Sequence, residues 1–242
     1  MQSMHPLDKV IWTALNTRQA AIAECFGEAR RFPFDVTLLG AFREENDHGY
    51  KCLASLLPPR GIVGVFLHAP YADRPGWELQ IGAPLAQMVC ENGAAKSKRT
   101  DPPEADVQFF DLTPADAPDM VELAKMTNPG PFHIRARELG NFIGIRKEGR
   151  LIAMAGERLK VPGYSEISGI CTHPDHAGRG YARILTTEIM GRIRERGETP
   201  FLHVRADNHR AIALYEKLGF STRMMSHYAV LRKMTDGKLS DE

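Results

Sequence analysis

Between residues 166 and 196 the chain runs from an apolar strand pattern, through a turn bracketed by two glycines, into a long amphipathic segment. The strand pattern is Glu166–Cys171, "EISGIC". The turn follows through Thr172–Ala177 and carries Gly178 and Gly180 on either side of Arg179. Residues 179–196 then place Ala182, Leu185, Ile189 and Ile193 on one helical face, and Gly197 ends the pattern. The first turn of a helix has backbone N–H groups without helical partners, and the aligned peptide dipoles add roughly half a positive charge there. Glycine lets an anion reach those amides without meeting a Cβ. The spacing therefore predicts a strand, a tight turn and a helix whose start, Gly178–Ala182, cradles a pyrophosphate. A turn made tight by glycine and nothing more is the alternative. Arg179 either adds a cationic contact or faces solvent. The pattern matches neither GxxxxGK[ST] nor GxGxxG with a distant acidic partner.

The flanking chain extends the same logic. Val107–Leu112 reads as a strand, and Thr113 as the cap of a helix with Pro114 at its first position and Met120, Leu123 and Ala124 on its apolar face. Residues 141–159 read as a hairpin turned at Lys147-Glu148-Gly149. Phe201–Arg205 is a strand, and residues 208–218 are a helix capped by Asp207 or Asn208 and stopped by Gly219. One or two strands follow around Phe220–Leu231. From residue 105 on, this order predicts a mixed α/β layer structure. Earlier in the chain, residues 8–31 carry helical spacing and predict one or two helices. Gly61–Leu67 is strand-like, and residues 77–90 are ambiguous between strand and loop. His68 and Trp77 are candidates for a pocket wall, against an ordinary structural role. The stretch at 92–106, "NGAAKSKRTDPPEAD", has no periodicity and predicts a linker. It divides an N-terminal region, 1–100, from a domain over 105–234.

Charge and cysteine content remove several function classes. Lys and Arg number 31 against 30 Asp and Glu, for a net charge of +1, which does not suit a nucleic-acid binder. The densest basic run, Lys96-Ser97-Lys98-Arg99, sits in the linker and reads as solvated. Cys25, Cys52, Cys90 and Cys171 lack metal-site or disulfide-framework spacing. No apolar stretch approaches the ~18 residues of a membrane span, and the N-terminus shows no signal pattern. A cytoplasmic protein is the expectation.

Two stretches together resemble a known family. "SGICTHPDHAGRGYARIL" is similar to the coenzyme A signature of the GNAT superfamily of N-acetyltransferases, [Arg/Gln]-x-x-Gly-x-[Gly/Ala] between a strand and a helix. Gly180 and Ala182 fit its last two fixed positions, and Ala177 stands where Arg or Gln is usual. "RADNHRAIALYEKLGF" resembles the family's second motif, at Asn208, Ala211, Tyr215, Leu218, Gly219 and Phe220. The wording from 137 to 176 resembles the FR47-like branch, whose members carry an extra N-terminal region. Residues 1–100 would then be that region, with a degenerate half of the same fold as one reading of it.

The resemblance implies an α/β fold of the GNAT acyl-CoA acyltransferase type and an acetyl transfer from acetyl-CoA directly to an amine. The acceptor is expected to be a small molecule, with no metal, nucleic acid or membrane involved, and the protein a monomer or homodimer. It implies cofactor contacts from Ile170, Cys171 and Thr172 on the open strand edge, from Ala177, Gly178, Arg179, Gly180, Tyr181 and Ala182 at the turn, and from Asn208, Ala211 and Tyr215. An amide of the strand edge is the natural oxyanion donor. Tyr215 is the expected general acid. Glu166 is the expected base, on the same face of its strand as Thr172 by two-residue alternation, with a raised pKa that would help. His203 is a weaker candidate facing the cleft. His173 and His176, in a loop, are not expected to hold metal, nor Cys171 to carry the acyl group. Arg135 and Arg137 are candidates for an acidic acceptor, within a pocket built from Phe132–Leu139 and Pro162–Tyr164. A catalytically silent acyl-CoA sensor or scaffold is the competing reading.

Overall fold

A computed structural model describes residues 5–91, 107–127 and 130–234. The expected linker at 92–106, with its basic run Lys96–Arg99, lies outside the described residues.

Helix α1 (Val10–Asn16) buries Val10, Ile11, Ala14 and Leu15, the helical face read from sequence. The helix does not continue to residue 31. Thr17 leaves the helical region, and Ala20–Ile22 forms a single 3-10 turn. Strands β1 (Glu24–Phe26) and β2 (Ala29–Arg31) then make a hairpin around Gly27, whose φ of 49° favours glycine. Tertiary packing overrides helical spacing here. The buried Arg31 pairs with Glu24 and stacks its guanidinium 3.7 Å from the Phe34 ring centre. Strand β2 also pairs with β3 (Gly40–Phe42). Helix α2 (Asp47–Ser55), which the sequence reading lacked, is capped by the Asn46 side chain accepting from the Gly49 N–H at 2.8 Å. Strands β4 (Ile62–Leu67) and β5 (Trp77–Val89) follow, so the ambiguous stretch is a thirteen-residue strand.

The remaining elements are β6 (Val107–Asp111), α3 (Ala117–Thr127), β7 (Phe142–Lys147), β8 (Arg150–Val161), β9 (Tyr164–Thr172), α4 (Tyr181–Glu195), β10 (Thr199–Arg205), α5 (His209–Lys217) and β11 (Ser221–Lys233). Local signals explain their boundaries. Asp116 accepts from the Thr113 N–H at 2.7 Å at the start of the α3 region. Glu148 and Gly149, with φ of 50° and 80°, make the β7–β8 turn of the primed kind that suits a twisted hairpin.

Among the described residues, eight strands form one sheet in the order β4-β11-β5-β10-β9-β8-β7-β6. Its strand pairings are antiparallel except β9 with β10. Strands β4 and β5 come from the N-terminal region yet hydrogen-bond into the same sheet as the strands beyond residue 105. Strand β5 lies between β10 and β11. One face is covered by α4 and α5, whose Leu185, Ile189, Ile193 and Tyr215 pack with Met88, Ile145, Leu202 and Val204. A second cluster joins Leu7, Ile11 and Leu15 to Leu159, Val161 and Phe201. Alternation along β10 thus sends Leu202 and Val204 to the α4–α5 core and Phe201 to the α1 core. No helix among the described residues is long and apolar enough to cross a membrane.

Candidate active site

Strands β9 and β10 run in parallel but stay paired over only three positions: Tyr164 with Thr199, Ser165 with Pro200, and Glu166 with Phe201. Beyond that point they part. Strand β9 continues to Thr172 along β8, and β10 continues to Arg205 along β5. One backbone edge of 167–172 and one of 202–205 therefore face a gap. At its open end β9 leads toward α4 and β10 toward α5, so the starts of both helices flank the gap. Ligand sites in α/β folds form outside the carboxyl ends of parallel strands for the same topological reason.

The glycine turn lies at that end. Helix α4 begins at Tyr181, two residues later than the spacing predicted, with Gly180 as its cap in the left-handed region. Gly178 and Gly180 have φ of 82° and 83°, and a Cβ built on either would meet no atom within 4 Å. Open space with a left-handed backbone is what a bulky anion needs to reach the amides. The Ile184 N–H bonds to the Gly180 carbonyl; first-turn amides before it have no helical acceptor. The residues present therefore fit a diphosphate. Tyr181 turns its ring into the α4–α5 core at 1% exposure, away from the turn. Ala177 is extended, and its N–H is spent on the Pro174 carbonyl at 3.1 Å.

Asn208 caps α5 by accepting from the Ala211 N–H at 3.1 Å. Two turns on, Tyr215 is buried beside Phe220, with ring centres 6.1 Å apart, and desolvation pushes its pKa up to about 12. The phenol thus keeps its proton across the working range.

Three expectations change on the other strand. Alternation does not hold from Glu166 to Thr172. The β8–β9 register shifts between Met154/Cys171 and Gly156/Ser168, and Gly169 adopts φ of 64°. Such a bulge skips one residue, so Ile167 and Ile170 both turn toward the α4 core, while Cys171 joins α3 residues Met120 and Leu123. Nor is the Glu166 pKa raised. The side chain is fully buried, and burial alone would raise its pKa. The Arg158 charge and bonds, at 2.7 and 2.8 Å, together with a 2.7 Å bond to His203, outweigh that and bring it to about 2. Burial also pushes the Cys171 thiol up to about 11. Third, Pro162–Tyr164 sits at the closed end of the strand pair, where the Tyr164 hydroxyl meets His5 at 3.1 Å.

Two cavities approach this region. The larger, about 180 Å³, lies between α1, β3 and the β4–β11–β5–β10 strip; His203, Gln87, His68 and Ser226 are on its wall. The smaller, about 30 Å³, is lined by Phe132, Leu139, Arg158 and Gly169, among others. Trp77 lines neither and packs edge-on to Tyr50 at 5.9 Å. Arg135 is committed to Asp35 at 3.0 Å and Glu138 at 2.7 Å, while Arg137 is half-buried. The His173 ring accepts from the Asp175 N–H at 3.2 Å, and no cluster of metal-ligating residues occurs among the described residues. Arg158, Gln87 and Ser226 had no local sequence signal, because each matters only through its place beside groups on other strands.

The profile of the FR47-like protein family matches residues 142–229. An N-alpha-acetyltransferase RimI from Mycobacterium tuberculosis is 36% identical over 120 residues, 45% of this chain and 75% of that protein. An uncharacterised protein of Mycobacterium leprae is 32% identical over 178 residues, 67% of this chain. The chain spans only 45% of that protein's length. A crystal structure from Novosphingobium aromaticivorans, assigned to the GNAT family of acetyltransferases, superposes with a TM-score of 0.86 at 35% identity. It covers 96% of this chain and 100% of its own.

Proposed function

The chain belongs to the GNAT family of acetyltransferases, in its FR47-like branch, and from that premise we propose that it moves the acetyl group of acetyl-CoA directly onto the amine of a small molecule. The observation that carries this reading is the parting of β9 from β10 beside a left-handed, open glycine turn. The bound thioester supplies an activated acetyl carbon; the chain supplies everything else. Amides of Gly178–Ala182 hold the diphosphate, with Arg179 exposed beside them. The edge of Ile170, Cys171 and Thr172 offers backbone groups to the pantetheine arm and an N–H to the developing oxyanion. Asn208 and Ala211 fix the start of α5, and so the place of Tyr215. The Tyr215 hydroxyl, kept protonated by burial, hands its proton to the departing sulfur. Glu166 is enclosed and ion-paired, so it serves as an anchor for its neighbours and not as a group that meets the amine.

A protein acceptor is the second reading, favoured by the similarity to RimI, whose name describes transfer to an α-amine. The test measures coenzyme A affinity by calorimetry, then thiol release from acetyl-CoA with a panel of small amines and with a peptide bearing a free α-amine. Turnover with the amines alone supports the first reading, and with the peptide alone the second. Tight binding without turnover on either would leave a silent coenzyme A sensor.

A further inference from the structure

Five neighbouring strands carry one continuous line of side-chain bonds across the sheet. Arg158 on β8 donates to Glu166 on β9 at 2.7 and 2.8 Å, and His203 on β10 bonds to Glu166 at 2.7 Å. Gln87 on β5 meets the other ring nitrogen of His203 at 3.2 Å, and Arg223 on β11 donates to Gln87 at 2.9 Å. The line ends on Asp8, just before α1, which pairs with Arg223. These five strands are consecutive in the sheet. Both arginines come from irregular places. Arg158 lies in the register shift between Glu157 and Lys160, and Arg223 in the one between Thr222 and Met224. Such shifts re-aim a side chain, and here they bring both arginines onto the same line.

Every polar side-chain atom of Glu166, His203 and Gln87 is committed. Gln87 accepts from Arg223 through Oε1 and donates through Nε2 to the Leu7 carbonyl at 3.0 Å, which fixes its amide. His203 Nε2 therefore accepts from Gln87, and Nδ1–H donates to Glu166. The Phe66 and Phe201 rings flank the imidazole at 4.6 and 5.8 Å. Glu166 is fully buried, and the His203 side chain is 2% exposed. Apolar side chains of the same size often give as much stability as such a buried polar line, so stability alone does not account for it. Its place in the sheet does. Glu166 and Phe201 form the last pair before β9 and β10 part, and His203 stands two residues beyond it. Backbone groups on the two facing edges gain by closing into a ladder. Paired strands sit ~4.7–4.9 Å apart, and an extended arm lying between them needs roughly twice that.

We propose that Glu166 and His203 are positioning residues, a pin across the fork that fixes where β10 leaves β9 and so keeps a slot of constant width for the pantetheine arm of coenzyme A. The inference rests on the acetyltransferase reading above. The bond draws His203 back toward the last paired residue of β9 and keeps β10 from zipping further along that strand. Arg158 holds the carboxylate end of the pin, while Gln87, Arg223 and Asp8 hold the ring end. The pin acts on the arm. The diphosphate cradle at Gly178–Ala182 belongs to the start of α4 and is built without it.

The test compares two ligands on the full chain by calorimetry: coenzyme A, and 3′-phosphoadenosine 5′-diphosphate, which is the same molecule without its arm. His203→Leu keeps an apolar body between the two phenyl rings but has no N–H for Glu166. It is expected to weaken coenzyme A about tenfold and to leave the armless ligand unchanged. His203→Asn places an amide N–H near the lost Nδ1–H and is expected to restore coenzyme A affinity to within about threefold of the wild type. Gln87→Met frees the ring from its far side. It should show the same selective loss, about fivefold, and it carries the test if His203→Leu does not fold. In the ligand-free chain, amide exchange over residues 202–205 should quicken in His203→Leu and not in His203→Asn. Equal loss for both ligands, unchanged coenzyme A affinity, an asparagine variant as weak as the leucine variant, or the same exchange in both would overturn the pin. A wild-type chain that binds neither ligand would instead remove the acetyltransferase reading, with the exchange difference still expected.

Discussion

Glu166 offers the sharpest quantitative test, because its environment is closed. The carboxylate is fully buried, receives two bonds from Arg158 and one from the Leu159 N–H at 3.2 Å, and touches His203. Its pKa falls from 4.5 to about 2, a lowering worth about 3 kcal/mol of folding stability. The folded-state value lies below the unfolded one. The contribution is therefore complete above about pH 4.5 and drains away as the pH falls toward 2. Glu166→Gln keeps the shape and one acceptor but leaves the half-buried Arg158 without its counter-charge. At pH 7 the variant is expected to lose about 3 kcal/mol, near the low end of what breaking a buried pair costs. For a chain of this length that lowers Tm by about 6–12 °C. At pH 3 the wild type has itself surrendered most of the term, and the gap should shrink to about 1 kcal/mol. Urea unfolding at the two pH values, followed by tryptophan fluorescence, reads both numbers. A gap of equal size at pH 7 and pH 3 would refute the argument, since the carboxylate charge would then contribute nothing.

Three further outcomes are expected. Gly180→Val forces a β-branched residue into φ of 83°, costing about 1–2 kcal/mol, and its side chain occupies the open space at the cradle; calorimetry should show coenzyme A affinity at least tenfold weaker, and unchanged affinity counts against the cradle. Tyr215→Phe should lower kcat by about 10²–10⁴ with coenzyme A affinity intact, and a normal kcat removes the acid role. Cys171→Ala should still transfer acetyl, because burial holds the thiol protonated, at about 11; mass spectrometry finding acetyl on Cys171 in the wild type contradicts direct transfer.

Residues whose roles are local were legible in the chain. The glycine pair at 178 and 180, the Asn208 cap, the Thr113–Asp116 start and the Glu148-Gly149 turn all follow from backbone preferences that a few neighbouring residues satisfy. The order of strands and helices after residue 105 was legible for the same reason. What escaped depends on partners far along the chain. The helical spacing of residues 21–31 yields to a hairpin because Ala29 of that hairpin is buried among Leu53, Val65 and Ala229. Strand β5 takes its place between β10 and β11 only when the whole sheet assembles.

The chain alone settles that a strand, an open left-handed turn and a helix stand in line, because φ and helix-end chemistry belong to a handful of consecutive residues. Tertiary structure decides what Glu166 is. A bulge at Gly169 rotates the strand beyond it, and Arg158, His203 and Gln87 arrive from three other strands. A carboxylate that alternation would aim at the cofactor becomes an enclosed anchor, since its charge state is set by groups that no local pattern names.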